Sequence, residues 1–186
     1  MTRAVFLNKD GTLIPNGGYQ RDPDLIDLPP FAARGLRILQ GRGYALFVVA
    51  TRSDGAHGVV GGHTLTNVEQ RIDALLAREQ IALGGYYYCA HGANGSAAPS
   101  TPACDCQRHD LIRRAADDHD IDLARSWMVG DILDDIESGR RAGCKTVLIS
   151  TGNETEWGIA PLRLPHVITF NLYRAAEAIL LADQPR

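Results

Sequence analysis

Short apolar runs alternate with amphipathic stretches along the chain. Six of the runs are rich in β-branched and aromatic residues and are mostly bounded by Gly, Asp, Asn or Thr, which is typical of buried strands. They lie at 4–7, 44–50, 86–88, 127–129, 146–149 and 167–170. Three stretches between and after these runs have apolar residues at helical spacing, which predicts helices. Their apolar positions are Leu65, Val68, Ile72, Leu75 and Leu76, then Leu111, Ile112, Ala115 and Ala116, and finally 172–181.

The alternation of strand and helix predicts an α/β fold. Parallel strands need long crossover connections, usually helices, and the resulting sheet is covered on both faces. We therefore predict a parallel sheet flanked by helices. A chain of 186 residues with 45% apolar residues fits one domain, 1–186, better than two. The least regular stretch, GANGSAAPSTPA at 92–103, has the composition of a flexible linker.

Charge and hydropathy exclude some classes of partner. The net charge is -3, and the chain has neither a basic run nor Lys and Arg interleaved with aromatic residues, so no nucleic-acid partner is predicted. Nowhere do about 18 uncharged apolar residues follow one another, so no membrane span is predicted. We expect a soluble, cytoplasmic protein.

Polar residues follow three of the apolar runs at the points where strands should end. In an open parallel sheet, ligands bind at the carboxyl ends of the strands, so these residues are candidates for a site. They are Asn8, Lys9 and Asp10 after the first run, Thr51 and Arg52 after the second, and Gly130 and Asp131 after the fourth. Polar residues follow many strands in proteins. Here three strand ends carry acidic residues, a hydroxyl group and a Gly-Asp pair, and this combination favours a shared ligand site.

These candidates fall in motifs that resemble the haloacid-dehalogenase-type phosphatases. The stretch NKDGTL at 8–13 resembles the DxDGT motif of that superfamily, Thr51 its second motif, and GDILDD at 130–135 its fourth. The segments YYYCAH, ACDC and ARSWMVGDILDDIESGRRAGCKTVLISTGNETEW resemble more closely the bacterial D-glycero-D-manno-heptose 1,7-bisphosphate phosphatases and the related histidinol-phosphate phosphatases. The resemblance covers about 4–181 and implies a Rossmann-like domain that hydrolyses a phosphorylated sugar or a related phosphomonoester.

The resemblance also implies a role for each candidate residue. The first Asp of DxDGT attacks phosphorus to give an aspartyl phosphate, and the second, here Asp10, protonates the leaving oxygen and then activates water. Thr51 would donate to the transferred phosphoryl group. Mg²⁺ would be held by the side chain at position 8, the main-chain carbonyl of Asp10 and the carboxylate of Asp131, with Asp135 supporting the site.

The nucleophile position is occupied by Asn8 instead of an aspartate. An amide oxygen is a poor nucleophile, and its attack cannot give the ordinary acyl phosphate. The change also removes one negative charge from the expected magnesium site. We therefore expect the shape of the site to persist and the phosphatase chemistry to be impaired or absent. This pattern fits a substrate-trapping variant as well as a natural pseudoenzyme.

Two further motifs depart from the family pattern. The second reads TRSDGAHG at 51–58 where the family usually has TNQSGxxRG, and Arg108 stands at the position of the lysine of the third motif. Arginine can donate two hydrogen bonds to a phosphate, but its side chain is longer than that of lysine and ends in a planar group. Replacing lysine by arginine is therefore not conservative. Arg52 and Arg108 would still supply positive charge near the phosphate. Three altered motifs favour natural divergence over one engineered change.

Several functions therefore stay open. The chain could be an impaired heptose-bisphosphate phosphatase, a phosphosugar-binding or regulatory pseudophosphatase, a histidinol-phosphate phosphatase-like protein, or an α/β domain with no surviving ligand site.

Three of the four cysteines and one histidine form two close pairs, Cys89-x-His91 and Cys104-x-Cys106. Three thiolates and one imidazole suit a closed tetrahedral Zn²⁺ site. Disulfides are the competing interpretation, which the expected cytoplasmic location disfavours. The resemblance implies a structural zinc that closes a substrate-facing loop at 89–106. Cys144 is expected to be a small core residue.

Overall fold

The computed structural model describes residues 1–16, 23–50, 59–60, 63–88 and 108–184. The strands in these segments are β1 (Arg3–Leu7), β2 (Tyr44–Ala50), β3 (Val59–Val60), β4 (His63–Thr64), β5 (Gly85–Tyr88), β6 (Trp127–Gly130), β7 (Lys145–Ile149) and β8 (Val167–Thr169). The helices are α1 (Ala32–Gly41), α2 (Leu65–Arg78), α3 (Arg108–His119), α4 (Leu133–Ala142) and α5 (Leu172–Ala182). Short 3₁₀ turns lie at Pro23–Leu25, Leu123–Arg125 and Pro161–Arg163.

Six of these strands form one parallel sheet in the order β5-β2-β1-β6-β7-β8. The sequence-based prediction of six strands in a parallel α/β fold is therefore confirmed, with boundaries shifted by at most one residue. Burial of the strands is confirmed for β1, β2, β6 and β7, whereas the edge strands β5 and β8 are partly exposed. The two-residue strands β3 and β4 pair in an antiparallel manner apart from this sheet. They were not predicted because strands so short carry no periodic pattern.

The two faces of the sheet carry separate hydrophobic cores. Val5 and Leu7 of β1 pack in a cluster with buried residues of α1, α2 and α5. The intervening Ala4 and Phe6 pack in a second cluster with buried residues of α3. Since successive side chains of a strand point to opposite faces, covering both faces requires every position to be apolar. This explains why the strands read as continuous apolar runs.

Helices α1 and α4 were not predicted individually, because glycine and charged residues interrupt their apolar pattern. Gly35 of α1 has a packing reason. A Cβ at this position would lie 2.7 Å from the main-chain oxygen of Leu172, at the start of α5. The glycine costs about 1 kcal/mol in helix propensity relative to alanine but allows α1 and α5 to pack closely.

Cys144 lies in the core, as predicted, and its burial raises the pKa of its thiol to about 12. None of the helices in the described segments is long and apolar enough to cross a membrane. The zinc residues Cys89, His91, Cys104 and Cys106 lie outside the described residues, and so does the 89–106 loop.

Candidate active site

The site is built where β1 and β6 end side by side. Leu7 of β1 pairs with Val129 of β6, so the loops that follow these strands begin at the same edge of the sheet. The main-chain N–H of Asn8 donates to Val129 O at 2.9 Å and extends this pairing by one residue. Asn8 and Asp131, which are far apart in sequence, are thereby brought into contact.

The loop after β1 folds back tightly on itself. Ile14 N–H donates to Lys9 O at 3.0 Å, and Gly11 N–H donates to Ile14 O at 2.8 Å. Gly11 has a φ of 82°, in the left-handed region that glycine adopts without strain. The loop thus presents the side chains of Asn8 and Thr12 to Asp131.

The Asp131 carboxylate accepts hydrogen bonds from three different residues. Asn8 Nδ2 and Thr12 Oγ1 donate to its Oδ1 at 3.0 and 3.1 Å, and Asn153 Nδ2 donates to its Oδ2 at 2.8 Å. The residue is only 2% exposed. A buried carboxylate needs such donors, because its charge is costly away from water. The contacts of Thr12 and Asn153 were not predicted from the sequence.

Asp135 holds the loop that carries Asp131. Its Oδ2 accepts the main-chain N–H groups of Asp131 and Ile132 at 3.1 and 3.4 Å, at the start of α4. Its Oδ1 forms an ion pair with the Arg108 guanidinium. The Asp135 side chain is fully buried and that of Arg108 is 13% exposed. Burial lowers the pKa of Arg108, against the opposing effect of the Asp134 and Asp131 charges.

Arg108 therefore has a partner that the sequence did not predict. In the structure its guanidinium pairs with Asp135, and its expected contact with the substrate phosphate stays a prediction. Thr51 and Arg52, the other residues expected to bind substrate, lie outside the described residues.

Asp10 is the most accessible carboxylate of this group. Its side chain is 28% exposed, and one of its oxygens lies 3.3 Å from the Nζ of Lys9, whose side chain is 6% exposed. The buried ammonium restrains the carboxylate near the mouth of the site. In the sequence, Lys9 is recognisable only as a polar residue after a strand, and no role was predicted for it.

A cavity of about 500 Å³ adjoins the Asp131 side of the site. Its apolar wall is formed mainly by proline and aromatic residues: Pro15, Pro29, Pro30, Phe31 and Phe170. Its polar wall carries hydroxyl and amide groups: Thr12, Asn16, Thr151, Asn153 and Asn171. The wall has no charged side chain among the described residues, so the cavity suits a neutral polyhydroxylated group better than a phosphate.

The expected magnesium ligands do not present three oxygens to a common point. Asn8 Nδ2 donates to the main-chain oxygen of Asp10 at 2.9 Å and to Oδ1 of Asp131 at 3.0 Å. An amide NH₂ group cannot ligate a cation, so the side chain at position 8, as arranged, does not fit the set that the resemblance implies. Within the described segments, no group of three or more His, Cys, Asp or Glu side chains is arranged to hold a metal ion.

Gly11 gives a test of how tightly this site is packed. A Cβ at Gly11 would clash with the Asp131 carboxylate and lie 2.8 Å from Asn153 Nδ2, whereas Gly43 has a similar φ of 79° and nothing within 4 Å. We expect Gly11→Ala to lower the free energy of unfolding by about 3 kcal/mol and Gly43→Ala by about 1 kcal/mol. Urea unfolding measures both. Equal losses would mean that the site is looser than described.

Comparison with known proteins places this site in a class and then in a family. A family model described as HAD-hydrolase-like matches residues 108–173. This match agrees with the parallel sheet and the site at its carboxyl edge, and together they indicate the haloacid dehalogenase class of folds.

Individual relatives identify the family more specifically than the family model does. The D-glycero-beta-D-manno-heptose-1,7-bisphosphate 7-phosphatase of Salmonella typhi is 34% identical over 152 residues, covering 80% of this chain and 81% of the relative. That of Escherichia coli K12 is 32% identical over 177 residues, covering 89% and 93%. The chain belongs to the D-glycero-beta-D-manno-heptose-1,7-bisphosphate 7-phosphatase family.

Solved structures share this fold. The D,D-heptose 1,7-bisphosphate phosphatase from B. bronchiseptica, crystallised with magnesium and phosphate, superposes with a TM-score of 0.79 at 23% identity and covers 97% of this chain and 99% of its own. A putative HAD-like phosphatase from Mesorhizobium loti gives a TM-score of 0.76 at 26% identity, covering 100% of this chain and 89% of its own.

Proposed function

We propose that this chain binds a phosphorylated heptose at the carboxyl edge of β1 and β6 and hydrolyses it slowly or not at all. The observation that carries the proposal is the contact between Asn8 and Asp131. The buried amide stands at the nucleophile position, next to an acidic group that is otherwise intact. The names of the relatives support a heptose bisphosphate, rather than histidinol phosphate, as the ligand.

The block on hydrolysis follows from the chemistry of the amide. The Asn8 side chain donates both of its hydrogen bonds through Nδ2, and its oxygen carries no full negative charge with which to attack phosphorus. No aspartyl phosphate can form at this position. Asp10 keeps its carboxylate and its contact with Lys9, so the acid–base group survives without a nucleophile to serve.

The adjoining cavity supports a sugar as part of the ligand. Carbohydrates present hydroxyl groups along their edges and C–H groups on their faces. Amides such as Asn153 and Asn171 suit the former, and aromatic rings such as Phe31 and Phe170 suit the latter. The cavity volume of about 500 Å³ is within the range of small-molecule sites.

Titration calorimetry with heptose 1,7-bisphosphate tests the binding. We expect saturable heat with the wild-type chain, and weaker heat with histidinol phosphate. Phe170→Ala should weaken binding by about tenfold through loss of an aromatic contact. Phe170 lines the cavity and is 78% exposed, whereas the nearby Ile168, 55% exposed, does not line it, so Ile168→Ala is the matched control and should bind normally.

Absence of heat with every phosphorylated ligand would contradict the proposal and leave an α/β domain without a surviving ligand site. Equal losses in the two variants would contradict the use of this cavity while leaving phosphosugar binding in place.

A further inference from the structure

The Asn8 side chain bridges two acceptors with one nitrogen. Nδ2 lies 2.9 Å from the main-chain oxygen of Asp10 and 3.0 Å from Oδ1 of Asp131. Asn8 is 8% exposed and Asp131 is 2% exposed, so little water competes for these contacts. The two hydrogens of one amide group therefore join the loop after β1 to the loop after β6.

The orientation of the amide follows from its partners. A peptide carbonyl and an ionised carboxylate accept hydrogen bonds and do not donate them. If the amide were turned over, its oxygen would face two other oxygens at about hydrogen-bond distance, which is repulsive. The NH₂ group is therefore the part of Asn8 that faces Asp10 and Asp131.

The two acceptors that Asn8 joins are the other two oxygens of the expected magnesium set. A divalent cation would hold these oxygens together by ligating both. The NH₂ group does so by donating to both. We propose that in this chain the NH₂ group of Asn8 takes the place of the divalent cation. The loops after β1 and β6 would then be held together by hydrogen bonds instead of by Mg²⁺.

The charges around the site fit this substitution. Among the described residues, the carboxylates of Asp10, Asp131 and Asp135 face the cations of Lys9 and Arg108, which leaves one negative charge in excess. The neighbouring Asp134 adds no excess charge, because it is paired with Arg163. An aspartate at position 8 would leave two, and would put a second carboxylate against Asp131, where like charges repel. A divalent cation would neutralise two excess negative charges and so stabilise the site with aspartate. It would stabilise the site with Asn8 less, because that site has one excess negative charge.

Magnesium binding should therefore be weak. To offer its oxygen to a cation, the Asn8 amide must turn over and break both hydrogen bonds, one of them to a charged group. The cost of these bonds and the missing charge should weaken Mg²⁺ binding by on the order of 100-fold relative to an aspartate at the same position.

Thermal unfolding of the substrate-free protein tests the inference. In chelator, we expect Asn8→Asp to melt several degrees below the wild type, since it loses the bridge and gains a repulsion. Millimolar Mg²⁺ should raise the melting temperature of Asn8→Asp by about 5 °C and that of the wild type by less than about 1 °C. Sodium chloride at equal ionic strength controls for screening.

Asn8→Ala is the matched control variant. It removes both the donor and the oxygen without adding charge, so it should melt below the wild type and gain no response to Mg²⁺. Calorimetric titration with Mg²⁺ alone gives the affinities directly. The inference is overturned if the wild type binds Mg²⁺ as tightly as Asn8→Asp, or if Asn8→Asp is as stable as the wild type in chelator.

If Asn8→Asp fails to fold, the wild-type protein alone still tests the inference. A large magnesium-induced rise in the melting temperature of the wild type would overturn it. This inference rests on the proposed function only for the choice of metal. The experiment uses no phosphosugar, so its failure is distinguishable from a failure of phosphosugar binding.

Discussion

Asn8→Asp is expected to raise the rate of phosphate release from heptose 1,7-bisphosphate by about 100-fold or more over a wild-type rate near background. The substitution is nearly isosteric and supplies a carboxylate where the chain now has an amide. Asp10, already restrained by Lys9, is available as the acid–base partner. A phosphate-release assay with and without Mg²⁺ measures the change.

Asn153→Asp is the matched control for this prediction. Asn153 also donates to the Asp131 carboxylate, at 2.8 Å, so the substitution adds the same charge beside the same group without creating a nucleophile at the end of β1. It should leave the rate at background. A folded Asn8→Asp protein that also stays at background would show that Arg108 and the altered second motif block the reaction as well. Normal turnover by the wild type would instead require Asp10 to activate water directly.

Arg108→Met is expected to lower the free energy of unfolding by about 3–5 kcal/mol. Asp135 is fully buried and pairs with Arg108, so removing the guanidinium leaves a carboxylate without a counter-charge in the interior. The double variant Arg108→Met with Asp135→Asn should recover part of the loss, because the amide keeps an acceptor for the Asp131 N–H without carrying a charge.

An exposed ion pair provides the comparison for Arg108. Arg37 lies 3.2 Å from Glu79, and the two side chains are 50% and 41% exposed. Arg37→Met should cost less than about 1 kcal/mol, since exposed pairs are weak. Urea unfolding of the four proteins gives the free energies. Similar losses for Arg108→Met and Arg37→Met would contradict a structural role for the buried pair.

The sheet could be predicted from the sequence because all six strands read as short apolar runs and the four central strands are buried on both faces. Helix α1 was not predicted, because Gly35 interrupts its apolar pattern. That glycine reflects the close approach of α5, which depends on residues far along the chain. A local pattern cannot contain such a contact.

The candidate site was only partly predictable, for a similar reason. Asn8 and Asp131 could be expected to meet because each follows a strand of a parallel sheet, and such strands end at one edge. The contact of Asn153 with Asp131 depends instead on how the loop after β7 folds back. Likewise, the charge of Arg108 was evident from the sequence, but its pairing with Asp135 became visible only in three dimensions.

The central claim is that this member of the family keeps its ligand site and has lost turnover at position 8. The most direct test is to incubate the wild-type protein with an equimolar amount of heptose 1,7-bisphosphate, separate the protein by gel filtration, and identify the bound ligand by mass spectrometry. We predict that intact bisphosphate elutes with the protein. Conversion of most of the bisphosphate to heptose monophosphate and inorganic phosphate, or protein that elutes without ligand, would contradict the account.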